Sequence, residues 1–416
     1  MRLRSPQARF RINSSIGDYI KSAKNFLLKN DFNEKVLQQL EAEICQELKI
    51  ANAIAMPQAR VGLYLAIVAN IDPGKEIILS PNTIVDVINM VICAGLKPVF
   101  CDIDPATGNL DPDLAERLIT ANTAAILITH LFGLIAPMDR FLEMKSKYGV
   151  LLIEDSAQAF GARREKKCAG TIGDIGVYSF GRAKNVMAFY GGMLVTPYKE
   201  IAVEIRAKLE NFPFMSNKKL KNRIISCLIK DAATYDIIFA CLLFKIVRYA
   251  YENNIGAITR HIEAEMDLSR KHTFPENYKE KMTPLQAKLI LAKLDNVEKD
   301  FQHRLVCARL YYEGLKDIPE LTLPPMIEDG SHVYNYYPVG YEDRESLRMF
   351  LMTNNRDVAL QHIRNTADLP GFRDFYSDCP NCRKWAHQTI MMPNYTKYRY
   401  SEVEKNVLAL RTFFGK

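Results

Sequence analysis

Two stretches decide how this chain folds: LLIEDSAQAFGA at residues 151–162 and GDIGVYSFGRAKNVMAFYGGMLVT at residues 173–196. In the first, an apolar run reads as a strand that ends in two acids, Glu154 and Asp155. In the second, another strand ends at Ser179 and Phe180, and Lys184 follows in a turn ahead of Gly191 and Gly192. A strand end holds a side chain on a rigid support, facing whatever binds above the sheet. A carboxylate on one strand and a lysine just past another can therefore meet the same flat heterocycle. The acid keeps a pyridine nitrogen protonated, and the lysine amine condenses with an aldehyde. Pyridoxal 5'-phosphate (PLP) has both groups. Taken singly, a strand-end aspartate is more often a cap and a lone lysine is usually solvated. The order and spacing of the pair carry the reading.

Working outward, short apolar runs alternate with helical patterns from about 50 to 200. Strands are expected at Ala53–Met56, Ile77–Ser80, Pro98–Asp102, Ala124–Thr129, Leu151–Asp155, Val177–Phe180 and Met193–Thr196. Helices are expected at Ala59–Asn70, Thr83–Cys93, Asp111–Thr120 and Met138–Tyr148. Such alternation implies a largely parallel sheet covered on both faces, with ligands at the carboxyl ends of its strands. From Pro284 to about Leu315, Ala287, Ile290, Leu291, Leu294, Val297 and Phe301 form one apolar stripe, predicting a single long helix. Beyond it, a strand at Tyr334–Val339 and helices at Arg344–Asn354 and Ser401–Phe413 predict an α+β unit. We expect a large domain over 1–283 and a linking helix with a small domain over 284–416. A helical insertion is expected within the first, at about 200–276.

That insertion differs from its flanks. Between Arg206 and Lys230 the sole acid is Glu210, against seven Lys or Arg, and an apolar, aromatic helix from about Thr234 to Tyr251 follows. Such a segment either packs on the body or a partner subunit, or lays a basic, amphipathic surface over 206–251 on an anionic membrane.

The two opening stretches resemble the DegT/DnrJ/EryC1/StrS sugar aminotransferases, whose signatures read roughly IEDAAQAHGA and GDIGxFSFxxxKxxxxGEGG. GLKPVFCDIDPATGNLDPD at 95–113, ILITHLFG at 126–133 and KMTPLQAKLILAKL at 281–294 are similar to further family patterns. The resemblance implies an aspartate-aminotransferase-like fold of type I, with a mostly parallel seven-stranded sheet and a smaller α+β C-terminal domain. It places Lys184 at the cofactor-attached lysine and proton shuttle, and Asp155 beneath the pyridine nitrogen. Gln158 falls at the cofactor's 3-oxygen edge, Ser179 at its phosphate, and Thr83 in a loop that lines it. It also implies L-glutamate as amino donor, a keto-sugar, preferably nucleotide-linked, as acceptor, and a homodimer with shared active sites.

Several positions depart from that pattern. Where relatives read SGTxAL at a helix N-terminus, this chain reads Gln58-Ala59-Arg60-Val61-Gly62-Leu63, so Ala59 and Arg60 are expected at the phosphate, Arg60 in bidentate contact. Ile84 stands where an aromatic ring often stacks, and Phe160 where a histidine is common. Tyr190 replaces the glutamate of GEGG, and Lys279 an asparagine that relatives lend across the dimer. His130, His362, Tyr190 and Lys279 are the residues expected to face substrate. Alternatives stay open: a dehydratase, an enzyme acting on a lipid-linked or non-sugar ketone, or a catalytically reduced regulatory relative.

Composition excludes little else. A formal charge of +7 is a mild excess that suits an anionic substrate, and no dense basic block or nucleic-acid motif accompanies it. Nine scattered cysteines and a polar opening sequence predict a reduced, cytoplasmic protein. Cys379-Pro-Asn-Cys382 matches a redox or zinc half-site, but no second pair accompanies it and no metal is expected. No uncharged run approaches the ~20 residues that span a bilayer.

Overall fold

The computed structural model describes residues 6–27, 33–253, 255 and 267–416. All seven expected strands form, as Asn52–Met56, Glu76–Leu79, Lys97–Phe100, Thr123–Thr129, Leu151–Asp155, Ile175–Ser179 and Gly192–Thr196. They build one sheet in which the strand ending at Asp155 lies between those ending at Thr129 and Ser179. Pairing is parallel except for Gly192–Thr196, which runs antiparallel to both its neighbours. The sheet is buried on both faces, which is why its strands read as nearly continuous apolar runs. Successive side chains enter different cores. Ile126, Ile128 and Leu152 pack with Phe141 and Met144, whereas Leu127 and Ile153 pack with Ile88 and Phe100.

Helices Ala59–Asn70 and Met138–Tyr148 form as expected, and Val85–Cys93 and Pro112–Arg117 form within their expected ranges. The single long helix does not. It is two helices, Pro284–Leu294 and Val297–Leu315, separated at Asp295 and Asn296. Both residues offer side-chain acceptors that compete with helical backbone bonds, so the apolar stripe continues across a break that its periodicity hides. Leu285, Leu289 and Ile290 join the core on the sheet, whereas a separate core runs from Leu305 to Leu410. This second core surrounds an antiparallel sheet of Tyr337–Gly340, Thr389–Met392 and Ala359–Leu360. Residues 7–14 strap the two parts together. Gln7 bonds the Lys397 carbonyl at 2.8 Å, Arg9 pairs with Asp357, and Asn13 reaches the Asn185 carbonyl at 2.5 Å.

Within the expected insertion, helices span Lys199–Glu210 and Asn217–Ala233, and a third helical run goes from Asp236 through a π-turn at Phe239–Leu243 to Glu252. Phe239, Phe244, Val247 and Tyr251 turn inward onto Ala8 and Met352, so the segment packs on the body of its own chain. Tyr235, Ile238, Leu242, Ile246 and Tyr249 are exposed along the opposite face. Residues 254 and 256–266 of this segment lie outside the described residues. Among the described residues, no helix is long and apolar enough to cross a membrane.

Candidate active site

The two acids at the end of Leu151–Asp155 point to opposite faces of the sheet, as neighbours on a strand must. Glu154 turns into the protein. It accepts from the backbone N–H groups of Gly170, at 2.8 Å, Ile172, at 2.7 Å, and Gly173, at 2.5 Å, and pairs with His130 Nε2 at 2.8 Å. Asp174, the acid of GDIG, accepts from the Leu152 N–H at 2.8 Å. These two motif acids therefore build the loop between the strands. Gly176 completes it, because a Cβ there would lie 1.9 Å from the Gly170 carbonyl oxygen. Asp155 faces the other way. Burial raises its pKa, opposed by a hydrogen bond from the Ala157 N–H and by the charges of Lys184 and His130.

Lys184 sits past the strand ending at Ser179, in a turn whose Lys184 N–H donates to the Gly181 carbonyl at 3.2 Å. Asn185 fixes the turn by donating to the Phe160 carbonyl at 2.8 Å. Burial pulls the Lys184 ammonium down to about 8; Asp155 opposes that shift and Arg60 adds to it. The strand order thus brings Asp155 and Lys184 within electrostatic reach across one crevice. Gln158 accepts from the Phe132 N–H through Oε1 at 3.0 Å, and its Nε2 has no partner among the described residues.

At the phosphate loop, Gln58 is extended and Ala59 opens the helix, so the first N–H groups of Ala59–Asn70 face the loop at Gly191, which bridges to Gln58. Ser179 Oγ lies nearby on the adjoining strand end and, among the described residues, accepts a hydrogen bond from the Gly181 N–H alone, at 3.4 Å. A planar cofactor bearing an aldehyde, a ring nitrogen and a phosphate fits this donor set: a lysine of lowered pKa, a buried carboxylate, an amide donor left free, and a helix N-terminus beside a hydroxyl.

A family model for the DegT/DnrJ/EryC1/StrS aminotransferases matches residues 21–230 and 253–411. The chain belongs to the DegT/DnrJ/EryC1/StrS aminotransferase family. It is a PLP-dependent aminotransferase. Among its relatives, the spore coat polysaccharide biosynthesis protein SpsC of Bacillus subtilis (strain 168) is 26% identical over 386 residues, 90% of this chain and 88% of that protein. The GDP-perosamine synthase of Caulobacter vibrioides is 36% identical over 173 residues, 41% of this chain and 47% of that protein. The crystal structure of DesI in the presence of its TDP-sugar product matches with a TM-score of 0.73 at 21% identity, covering 100% of this chain and 95% of that one.

This aminotransferase departs from several expectations drawn from its sequence. Arg60 does not stand free for a phosphate. Its guanidinium is salt-bridged to Asp86 and donates to the Tyr278 hydroxyl at 3.1 Å. Asp86 also holds Lys271; burial would raise its carboxyl, but Arg60 and Lys271 keep it below the usual range. Lys271 also pairs with Asp267 at 3.2 Å, so two cations and two acids balance in this cluster. His130, expected to face substrate, is fully enclosed; its Nδ1 accepts from the Ala136 N–H at 3.1 Å and its Nε2 meets Glu154, leaving no nitrogen for a ligand. Lys279 is half-buried and pairs with Glu276 at 2.5 Å. Thr83 is buried in the loop before Val85–Cys93, and Ile84 packs with Leu131, Phe132 and Ile363. His362, from the small-sheet unit, lies within electrostatic reach of Lys184. Burial pulls its imidazole down to about 4, and the charge of Lys184 adds to that shift.

Tyr190 has φ of +106°, between Phe189 at +56° and Gly191 at +138°. Such backbone costs about 1–3 kcal/mol per non-glycine residue. Gln286 secures it by donating to the Tyr190 carbonyl at 2.9 Å. Two residues that sequence reading passed over, Arg182 and Arg223, stack on the Tyr190 ring at 5.6 and 4.0 Å from its centroid. The signal for Arg223 was present in the basic run 206–230, but nothing in its spacing showed that it turns toward the lysine loop.

The CxxC pair is structural. Both thiols are buried; burial raises Cys379 to about 12 and Cys382 still further. The N–H groups of Asn381 and Cys382 donate to Asp102 at 2.9 and 2.8 Å, so the motif docks a helix start onto the large sheet.

Proposed function

We propose that this enzyme moves an amino group from L-glutamate to the ketone of a sugar carried on a nucleoside diphosphate, working in the cytoplasm as a homodimer with shared sites. The observation that carries the reading is that neighbouring strands place buried Asp155 and Lys184 within electrostatic reach of each other. When bound, PLP supplies an electron sink and holds the amino group between donor and acceptor. In this reading Lys184 anchors the cofactor and then moves a proton at the reacting carbon, which an amine poised near neutrality does in both directions. Asp155 holds the ring nitrogen protonated, and Gln158 Nε2 donates to the 3-oxygen. Ser179, the Ala59 amide and the Arg60 cluster bind the phosphate, with Thr83 lining the ring. His362 and Tyr190 face the sugar. Support for the substrate class comes from relatives whose names specify GDP-perosamine and a TDP-sugar.

The test is direct. Purified protein is expected to show the visible absorption of lysine-bound PLP, and Lys184→Ala is expected to abolish it together with glutamate-dependent amination in a screen of nucleotide keto-sugars. A wild-type protein that takes up no PLP would overturn the reading. Sedimentation as a monomer at micromolar concentration would remove the shared site.

One observation favours a second reading, a lipid-linked ketone met at an anionic membrane. The exposed row from Tyr235 to Tyr249 is apolar; Lys245 is exposed on the same helical run, and Lys218, Lys221 and Lys230 are exposed on the preceding helix, Asn217–Ala233. Equal failure of the full chain and of a Leu242→Glu, Ile246→Glu variant to bind anionic vesicles would remove it.

A further inference from the structure

The backbone that follows Lys184 is held from outside at the carbonyls of Asn185, Met187 and Tyr190, by the side chains of Asn13, Lys293 and Gln286. Two of these holders belong to helix Pro284–Leu294, where Gln286, Ile290 and Lys293 recur at helical spacing and share one face. Gln286 takes the Tyr190 carbonyl, and Ile290 packs in the core that contains Met187, Ala188 and Phe189. Lys293 completes the row. Its ammonium donates to the Met187 carbonyl at 2.7 Å and to the Asn13 carbonyl at 3.0 Å, and it pairs with Asp18 at 3.1 Å. Asn13 itself donates to the Asn185 carbonyl, so the two contacts close one network around the turn.

An ammonium has three N–H donors and no acceptor. Here each donor meets an acceptor from a different segment: the lysine loop, the N-terminal segment and the helix Ile16–Leu27. Only 14% of the Lys293 side chain and 6% of that of Asp18 are exposed. Burial lowers the pKa of Lys293, and Asp18 opposes that shift. A cation in so dry a position costs free energy that an apolar side chain would not. In return the loop receives a charge-assisted hydrogen bond, roughly twice as strong as a neutral one. Lys184 stands three residues before Met187 and carries its amine on a flexible four-carbon stem, so the backbone direction at the turn decides where the amine points. From these contacts we infer that Lys293 is a positioning residue for amino transfer: it fixes the Met187 carbonyl, and with it the turn from which Lys184 projects. The inference rests on the aminotransferase reading and adds to it a residue that acts through the backbone.

The test follows PLP uptake by PLP-free protein across pH, together with steady-state amino transfer from glutamate. Lys293→Met alone would leave Asp18 buried without its cation, so it is combined with Asp18→Asn, which still accepts from the Ser15 N–H. Asp155, Arg60 and His362, the groups whose charges meet that of Lys184, are unaltered in this double variant. A turn no longer held lets the Lys184 amine reach water, so the midpoint of uptake is expected to rise by about half a pH unit or more. The same variant is expected to lose about tenfold in kcat, with KM for glutamate changed less than about twofold, because a misplaced amine slows proton transfer without touching donor binding. Lys293→Arg keeps the charge and the donors and is expected to stay near wild type in both readouts. Chemical denaturation establishes that each variant is folded; a contact that only stabilises the fold would lower that midpoint and leave the pH midpoint in place. A folded double variant with wild-type pH midpoint and kcat would overturn the inference and leave the aminotransferase reading intact. A wild type that takes up no PLP would overturn that reading, and the inference with it.

Discussion

Glu154 and His130 form a fully enclosed pair at 2.8 Å, and neither side chain reaches the crevice beside them. The pair explains why the acid next to Asp155 belongs to the motif although it faces away from the site. Glu154→Ala would strand three backbone N–H groups and the imidazole in the interior. A buried donor left without its acceptor costs about 1–3 kcal/mol, so a loss of at least about 3 kcal/mol is expected. Chemical denaturation is expected to show that loss. A change under 1 kcal/mol would mean that the loop 170–173 is held by other contacts.

Gly176→Ala is expected to be among the most damaging conservative changes in the chain. Its methyl group would collide with the Gly170 carbonyl, which the loop cannot withdraw without losing its bond to Glu154. Overpacking costs about 1–3 kcal/mol where neighbours can yield; here backbone must move, so a loss at or above the top of that range is expected. A melting temperature unchanged from wild type would refute the contact.

Lys184 provides a pH signature. Only the neutral amine condenses with an aldehyde, and its pKa is lowered to about 8 rather than the ordinary 10.5. The rate at which PLP-free protein takes up the cofactor is therefore expected to rise with pH and level off above about 8. A rate still climbing in proportion to hydroxide beyond pH 9 would show an unperturbed lysine.

Arg60 contributes to that signature. Its positive charge helps to lower the pKa of Lys184, so Arg60→Ala is expected to move the midpoint upward. The same variant is expected to weaken PLP binding, since it removes a guanidinium from the first turn of the helix that opens at the phosphate loop. An unchanged midpoint with weakened cofactor binding would separate the two effects.

Disruption of Arg356 and Glu402, buried together at 2.7 Å in the second core, should be felt far from the crevice. Glu402→Ala leaves a guanidinium in the interior and is expected to cost about 3–5 kcal/mol. Denaturation followed by tyrosine fluorescence and by cofactor absorption would show whether the C-terminal unit loosens first.

Most of the sheet was legible because period and burial agree: strands covered on both faces read as apolar runs, and each ended where its helix or loop began. The break at Asp295 was not, because the apolar stripe passes over it undisturbed. At the site, Asp155 and Lys184 could be found from their places at neighbouring strand ends. His130 was misjudged for a physical reason: a histidine at a strand end satisfies Glu154 as readily as it meets a ligand, and sequence does not show which way it turns. Arg223 was missed because its partner, Tyr190, lies more than thirty residues away, and only the folded insertion brings the two together.

The strap formed by residues 7–14 has a practical implication. It touches the second core through Arg9 and Asp357 and the turn after Lys184 through Asn13 and Asn185. Shortening or rerouting it would leave every signature residue in place while slackening the tether between them. Two proteins with identical motifs could then differ in rate for a reason no motif records, and fusions made ahead of this segment need checking for activity as well as for yield.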